Sequence, residues 1–215
     1  IGIPRLKRRV AKKITRRRLP HYTEGDENAP PVEMKDDIGL LASVPTTASP
    51  LRPLLNRMIH NAEKSIQMTM AYFAPDDKLV AELCRAAQRG VKVQLMLPGC
   101  TDVKLLLWAA RSFYDILLTA GVEIYERQTV ILHAKTFVVD ENLSLVGSTN
   151  LDYRSIEFNC ELSMAIRSPE FGRHMCALFE NDMKFARPVE DTQWRRRPVL
   201  DRLVQWGVSR ARYLL

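Results

Sequence analysis

Between residues 49 and 126, short apolar runs alternate with segments of helical period. "SPLRPLLNRMIHNAEKS" (49–65) places apolar residues at helical spacing behind a Ser-Pro start, and "SIQMTMAYF" (65–73) then reads as a strand. "DDKLVAELCRAAQRG" (76–90) is a helix opened by acids and closed by glycine, as the helix dipole and C-terminal cap preferences favour. "VKVQLML" (91–97) is the next strand, "DVKLLLWAARSFYDILLTAG" (102–121) predicts one long apolar helix, and "VEIYE" is a further strand. Strands alternating with helices of this length imply an α/β sandwich whose sheet is covered on both faces.

At 215 residues and 46% hydrophobic, the chain can bury one sizeable core. Its first residue is Ile1 rather than Met, which predicts a fragment or processed piece of a longer chain. Cys84, Cys100, Cys160 and Cys176 stand far apart, with no C-x-x-C pair and no clustered histidines. Neither a zinc site nor a disulfide framework is indicated, and a reducing, cytoplasmic compartment fits best. No signal-peptide pattern opens the chain. No apolar run approaches the roughly 18 residues that span a bilayer, so any membrane contact of this piece would be peripheral.

The net charge of +7 is concentrated. "PRLKRRVAKKITRRR" (4–18) holds nine Lys and Arg and no acid, and "WRRRP" (194–198) repeats the theme. Such runs attract nucleic acid or anionic lipid head groups, or they stand as solvated arms. "EGDENAPPVEMKDD" (24–37) is acidic, Pro-containing and aperiodic, and reads as a linker. The chain therefore divides into a basic arm and linker at 1–37, a folded domain at 38–190, and a basic helical segment at 191–215.

Chemistry concentrates in "LHAKTFVVDENLSLVGSTN" (132–150). In an extended strand residues two apart share a face, which would put His133, Lys135 and Phe137 on one side. An imidazole beside an ammonium suits a phosphate: the lysine binds its oxygens, and the histidine attacks phosphorus or donates a proton. Asp140 falls on the opposite parity or in the following turn, better placed to tie down backbone than to react. "GSTN" supplies a glycine for a tight turn, with Ser148 and Asn150 able to donate to phosphate oxygens.

H-A-K-T-F-V-V-D followed by six residues and G-S-T-N resembles the HKD signature of the phospholipase D superfamily in every fixed position. "LDYRSIEFNCEL" (151–162), with Arg154, Ser155, Asn159 and Glu161, looks like the downstream motif of bacterial cardiolipin synthases. "AYFAPDDKLVAELCRAAQRGVKVQLMLPG" is similar to a segment of the same group, and the resemblance covers roughly residues 50 to 190. It implies a phospholipase D-like α/β sandwich with a mixed central sheet. Such synthases carry two HKD motifs and this sequence has one. It thus looks like a C-terminal half, to be completed by an N-terminal half with the other motif or by a second copy of the chain.

The implied reaction is phosphatidyl transfer through a phosphohistidine, with no metal or other cofactor. His133, Lys135, Asp140 and Glu161 form the implied catalytic set, and Lys135, Ser148 and Asn150 the phosphate-binding set. The nucleophile usually belongs to the first motif, which leaves His133 as general acid and base. Glu161, by the same resemblance, orients His133 by accepting a hydrogen bond from its other ring nitrogen. Phospholipid substrates, phosphatidylglycerol foremost, and an anionic membrane surface are the implied partners. The place implied is the cytoplasmic side of the bacterial inner membrane, held peripherally.

A phosphodiesterase of the same superfamily, acting on lipid or nucleic acid, would use the same residues with water as acceptor. A basic scaffold keeping the motif only to bind phosphate is the non-enzymatic reading, and the completeness of the motif argues against it. Trp108, Phe113 and Tyr114 on the 102–121 segment are candidates either for core or for contact with lipid. His60 and His174 are expected at the surface of helices.

Overall fold

The computed structural model describes residues 37–44 and 49–211. The basic run at 4–18 and the acidic segment at 24–37, except Asp37, lie outside the described residues.

The elements run β1 (Ile38–Ser43), α1 (Leu51–Asn61), β2 (Ser65–Met70), α2 (Asp77–Gln88), β3 (Lys92–Pro98), α3 (Lys104–Arg111), α4 (Tyr114–Ala120) and β4 (Glu123–Arg127). They continue with β5 (Lys135–Val139), β6 (Leu143–Gly147), α5 (Tyr153–Glu157), β7 (Glu161–Arg167), α6 (Pro169–Met183), β8 (Ala186–Pro188), α7 (Asp191–Trp194) and α8 (Val199–Ala211). One mixed eight-stranded sheet has the order β1-β7-β6-β5-β2-β3-β4-β8. β2, β3 and β4 are parallel, because α2 and the α3–α4 pair return the chain between them. The remaining neighbours are antiparallel.

Local chemistry sets the helix starts. Asp76 caps α2 by accepting from the Leu79 amide at 2.8 Å, and Ser168 caps α6 by accepting from the Phe171 amide at 3.2 Å ahead of Pro169. α1, α2 and α4 cover one face of the sheet, packing Leu55, Ile59, Leu83 and Leu117 over Ile66, Leu95 and Phe137. α6 lies across the other face, where Phe179 meets Met96 and Leu132. It leaves β1 and β7 bare on that side: Ile38, Leu40, Leu162 and Met164 stand in alternation and are exposed.

The single helix expected over 102–121 is two helices. The Ser112 hydroxyl donates back to the Ala109 carbonyl at 2.6 Å, a local bond that ends α3, and the chain re-enters helix at Tyr114. The break turns Phe113 and Tyr114 into the core, where Phe113 meets Phe73 edge-on at 6.0 Å. These two side chains are core rather than lipid-facing, and Trp108 is half-buried. His60 and His174 are exposed on α1 and α6.

A charged cluster ties α3 to the sheet beneath α4. Glu126, 1% exposed, accepts from Arg111 Nε and Nη2 at 2.9 and 3.0 Å, from Arg187 at 3.0 Å and from the Tyr114 hydroxyl at 3.4 Å. Burial, and next the Glu126 charge, push the Tyr114 phenol well above its ordinary pKa. Glu126→Gln keeps the shape but leaves Arg111 facing a neutral amide. It should lower unfolding free energy by about 1.5–3 kcal/mol, the worth of a hydrogen bond to a charged group, measured by urea denaturation.

Candidate active site

Antiparallel pairing brings the starts of β5 and β7 to the same sheet end as the finishes of β2 and β6. Lys135, first in β5, pairs with Met70, last in β2; Gly147, last in β6, pairs with Ser163 near the start of β7. Residues distant in sequence thus converge: His133, Lys135, Ser148, Asn150 and Glu161.

His133 is not in the strand. β5 begins at Lys135, and His133 sits in the exposed approach to it. What joins the pair is a bond in place of a shared strand face: the Lys135 ammonium donates to the His133 carbonyl at 2.7 Å. Lys135 and Phe137 do share the buried side, and Lys135 is only 7% exposed. Burial pulls the Lys135 pKa down, while the Glu161 and Asp152 carboxylates hold it up. A desolvated cation so placed has weakened competition from water for an incoming phosphoryl oxygen.

Glu161 is gripped by residues other than His133. Its two oxygens accept from Ser148 Oγ and from Asn159 Nδ2, the latter at 3.2 Å. Ser148 also receives the Leu162 amide at 3.0 Å. The hydroxyl expected to meet phosphate therefore spends its single proton on the start of β7. Asn159, half-buried after α5, is held by its own amide donating to the Arg154 carbonyl at 3.0 Å. Arg154 itself is exposed. Asn150 is buried, and its Oδ1, an acceptor, meets no partner.

Gly147 serves close approach in place of the tight turn its sequence context suggests. A Cβ there would collide with the Ser163 side chain and the Leu162 carbonyl, so only glycine lets β6 lie this near β7. The tight turn is instead Asp140–Glu141, both at φ 54°, with the Asn142 amide donating to Val139 at 3.0 Å. Asp140 faces away from Lys135. Its carboxylate accepts the amides of Lys64 and Ser65 at 2.7 and 2.9 Å on one oxygen and that of Glu63 at 3.0 Å on the other.

Two participants escaped the sequence reading. Asp152, 5% exposed, caps α5 by accepting the Ser155 amide at 2.8 Å and hydroxyl at 3.1 Å. Burial raises its pKa, the Ser155 bonds oppose that, and Glu161 adds to the rise. The Asp-x-x-Ser spacing was the available signal, since that is a helix-start pattern. Tyr72 is joined to the site by the Leu151 amide donating to its carbonyl at 3.2 Å, beside the Phe73–Leu151 bridge. Burial, then Asp102 and Asp152, raise its phenol pKa.

Residues 55–183, more than half of the chain, match the family described as cardiolipin synthase, phospholipase D-like domain. Cardiolipin synthase A from Pectobacterium carotovorum is 41% identical over 147 residues, 68% of this chain and 30% of that protein. Cardiolipin synthase A from Wigglesworthia glossinidia brevipalpis is 36% identical over 155 residues, 72% and 31% respectively. The chain thus spans about a third of the length of these curated relatives. Among solved structures, the phospholipase D family member Nuc from Salmonella typhimurium superposes with TM-score 0.62 at 21% identity, over 71% of this chain and 97% of that one. Phosphatidylserine synthase from Haemophilus influenzae gives TM-score 0.62 at 14% identity, over 83% of this chain and 48% of that one. The α/β sandwich with its mixed sheet is the phospholipase D fold, and the chain belongs to the cardiolipin synthase family of phospholipase D-like domains.

Proposed function

We propose that this domain supplies one of the two phosphate-handling halves of a phosphatidyltransferase that makes cardiolipin from two molecules of phosphatidylglycerol. The observation that carries the reading is the buried Lys135 cation at the sheet end, with the exposed His133 two residues before it. The family relationship supplies the lipid.

In the first step the other half's histidine attacks phosphorus. The bond to the departing glycerol breaks, and His133, protonated, gives that oxygen its proton. In the second, neutral His133 takes the proton from a hydroxyl of the second phosphatidylglycerol as that oxygen attacks the phosphohistidine. Lys135 and Asn150 offset charge on the phosphoryl oxygens through both steps. Glu161 serves the site in this reading by holding Lys135 charged and Ser148 in place.

Two features favour lipid over nucleic acid. Val130 and Ile131 lead into His133 with exposed side chains, and Phe158 and Leu162 flank Glu161 likewise. A site rimmed by apolar groups suits acyl chains. The bare strip on β1 and β7 begins next to Glu161 and gives the second half an apolar surface on which to dock. No helix among the described residues is long and apolar enough to cross a membrane.

Two measurements test the reading. Incubated with phosphatidylglycerol and its second half, the domain should release cardiolipin and glycerol; phosphatidic acid or cleaved DNA as the product would assign it to hydrolysis. As a monomer by itself it should be inactive or nearly so, because one histidine cannot be nucleophile and leaving-group acid on opposite sides of one phosphorus. Full turnover from a proven monomer would refute the two-half mechanism.

A further inference from the structure

Helix α8 is laid on the domain with its polar side inward. Gln205, 3% exposed, accepts from Arg197 Nε at 3.0 Å, and Arg197 forks onto both oxygens of Asp115 at 2.9 and 2.7 Å. Asp201 is half-buried, with its charge acting on Arg111. Gln205 thus fastens the inner face through a polar contact, with Asp201 one turn earlier on the same side.

The outer face carries Val199 at 69% exposure, Leu200 at 69%, Leu203 at 60%, Val204 at 37% and Trp206 at 57%. With Gly207 they fall within an arc of about 160° on a helix of 3.6 residues per turn, interrupted only by Arg210 in its last turn; on one flank Val199, Leu203 and Trp206 also border an open cleft with Ser112, Asp115 and Gln205. A surface helix in contact with water shows the reverse arrangement. Exposed cations accompany the arc: Arg202 on its edge, Arg196 just before the helix, and Arg210 within it in the last turn, its guanidinium 4.4 Å from the centre of the Trp206 ring. Across residues 195–211 the one acid is Asp201, on the inner side.

We propose that α8 is an interfacial anchor that lies in the plane of an anionic bilayer. Leu200, Leu203 and Trp206 enter the boundary of the acyl chains, while Arg196, Arg202 and Arg210 meet lipid phosphates. The charge decides the occupant: exposed arginines without outward acids complement phosphatidylglycerol head groups. Polar anchoring of the inner face fixes α8 to α3 and α4, so the bilayer would hold the domain at a set orientation. The proposal draws on the lipid-substrate reading for its biological meaning, but its test reads binding and depth instead of turnover.

Because the arm at 4–18 can itself hold vesicles electrostatically, the measurement must report on α8. The full chain is mixed with phosphatidylcholine vesicles containing phosphatidylglycerol, with lipids brominated along the acyl chain as contact quenchers. Tryptophan emission should be quenched, and Trp206→Phe should stay bound yet lose most of that quenching, since Trp108 and Trp194 are half-buried in the domain. Leu200→Asp with Leu203→Asp should cut vesicle binding by tenfold or more while leaving the circular dichroism melt unchanged, the side chains being outside the core. Quenching that survives Trp206→Phe, or binding indifferent to the paired aspartates, would overturn the anchor. Loss of association with the second half, with vesicle binding intact, would show that the apolar arc is a protein interface and would overturn it equally.

Discussion

His133→Ala, placed in an enzyme that contains both motifs, should lose nearly all cardiolipin synthesis, beyond the ~10²–10⁴-fold typical of a missing general acid. The loss should exceed that range because His133 acts twice, giving a proton to the departing glycerol and then taking one from the incoming hydroxyl. A glycerol alkoxide leaves poorly when unprotonated, and the second hydroxyl attacks poorly when it keeps its proton. The role can be separated from that of the nucleophile by changing the leaving group. A phosphatidyl ester of p-nitrophenol needs no protonation, so the His133→Ala enzyme should still release one equivalent of nitrophenol rapidly and then stall. Absence of that burst, or phosphopeptide mapping that traps the phosphatidyl group on His133 in the parent enzyme, would make His133 the nucleophile. Glu161→Gln should cost less than His133→Ala. Its carboxylate meets Ser148 and Asn159 and supports the Lys135 charge, with the imidazole outside its hydrogen bonds.

Much of the fold was legible because alternation of period survives in single stretches. β2, α2, β3 and β4 fall within a few residues of where apolar spacing puts them. The break between α3 and α4 was not legible, since Ser112 stands in an unbroken apolar run and its bond to Ala109 depends on the finished geometry. At the site, residue types were readable and their contacts were not. Parity assigned His133 to a strand that starts two residues later. Nothing local says that Ser148, thirteen residues before Glu161, would donate to it, because the meeting is made by the β6–β7 pairing. Glu126 was likewise invisible as the centre of a charged cluster, its partners lying on α3, α4 and β8.

Asp140→Ala should be the most destabilising single change in the motif, by about 4 kcal/mol, while leaving turnover per folded molecule close to that of the parent. The carboxylate holds three consecutive amides, of Glu63, Lys64 and Ser65, which lead from the end of α1 into the first residue of β2. It thereby fixes the entry of a central strand against the β5–β6 turn. Alanine removes all three acceptors and must also take the left-handed backbone at φ 54°, which costs a residue with a Cβ and no polar side chain about 1–2 kcal/mol. Asp140→Asn separates the two contributions. Asparagine accepts the left-handed conformation readily and keeps one amide-oxygen acceptor, but turns an NH₂ toward a backbone N–H. It should therefore lose roughly half as much stability as alanine, judged by urea denaturation of both variants side by side. The distance of Asp140 from the chemistry is tested by the same pair: an Asp140→Asn enzyme that is folded and yet fails to make cardiolipin would require this carboxylate to act on the phosphate, which its three amide bonds oppose.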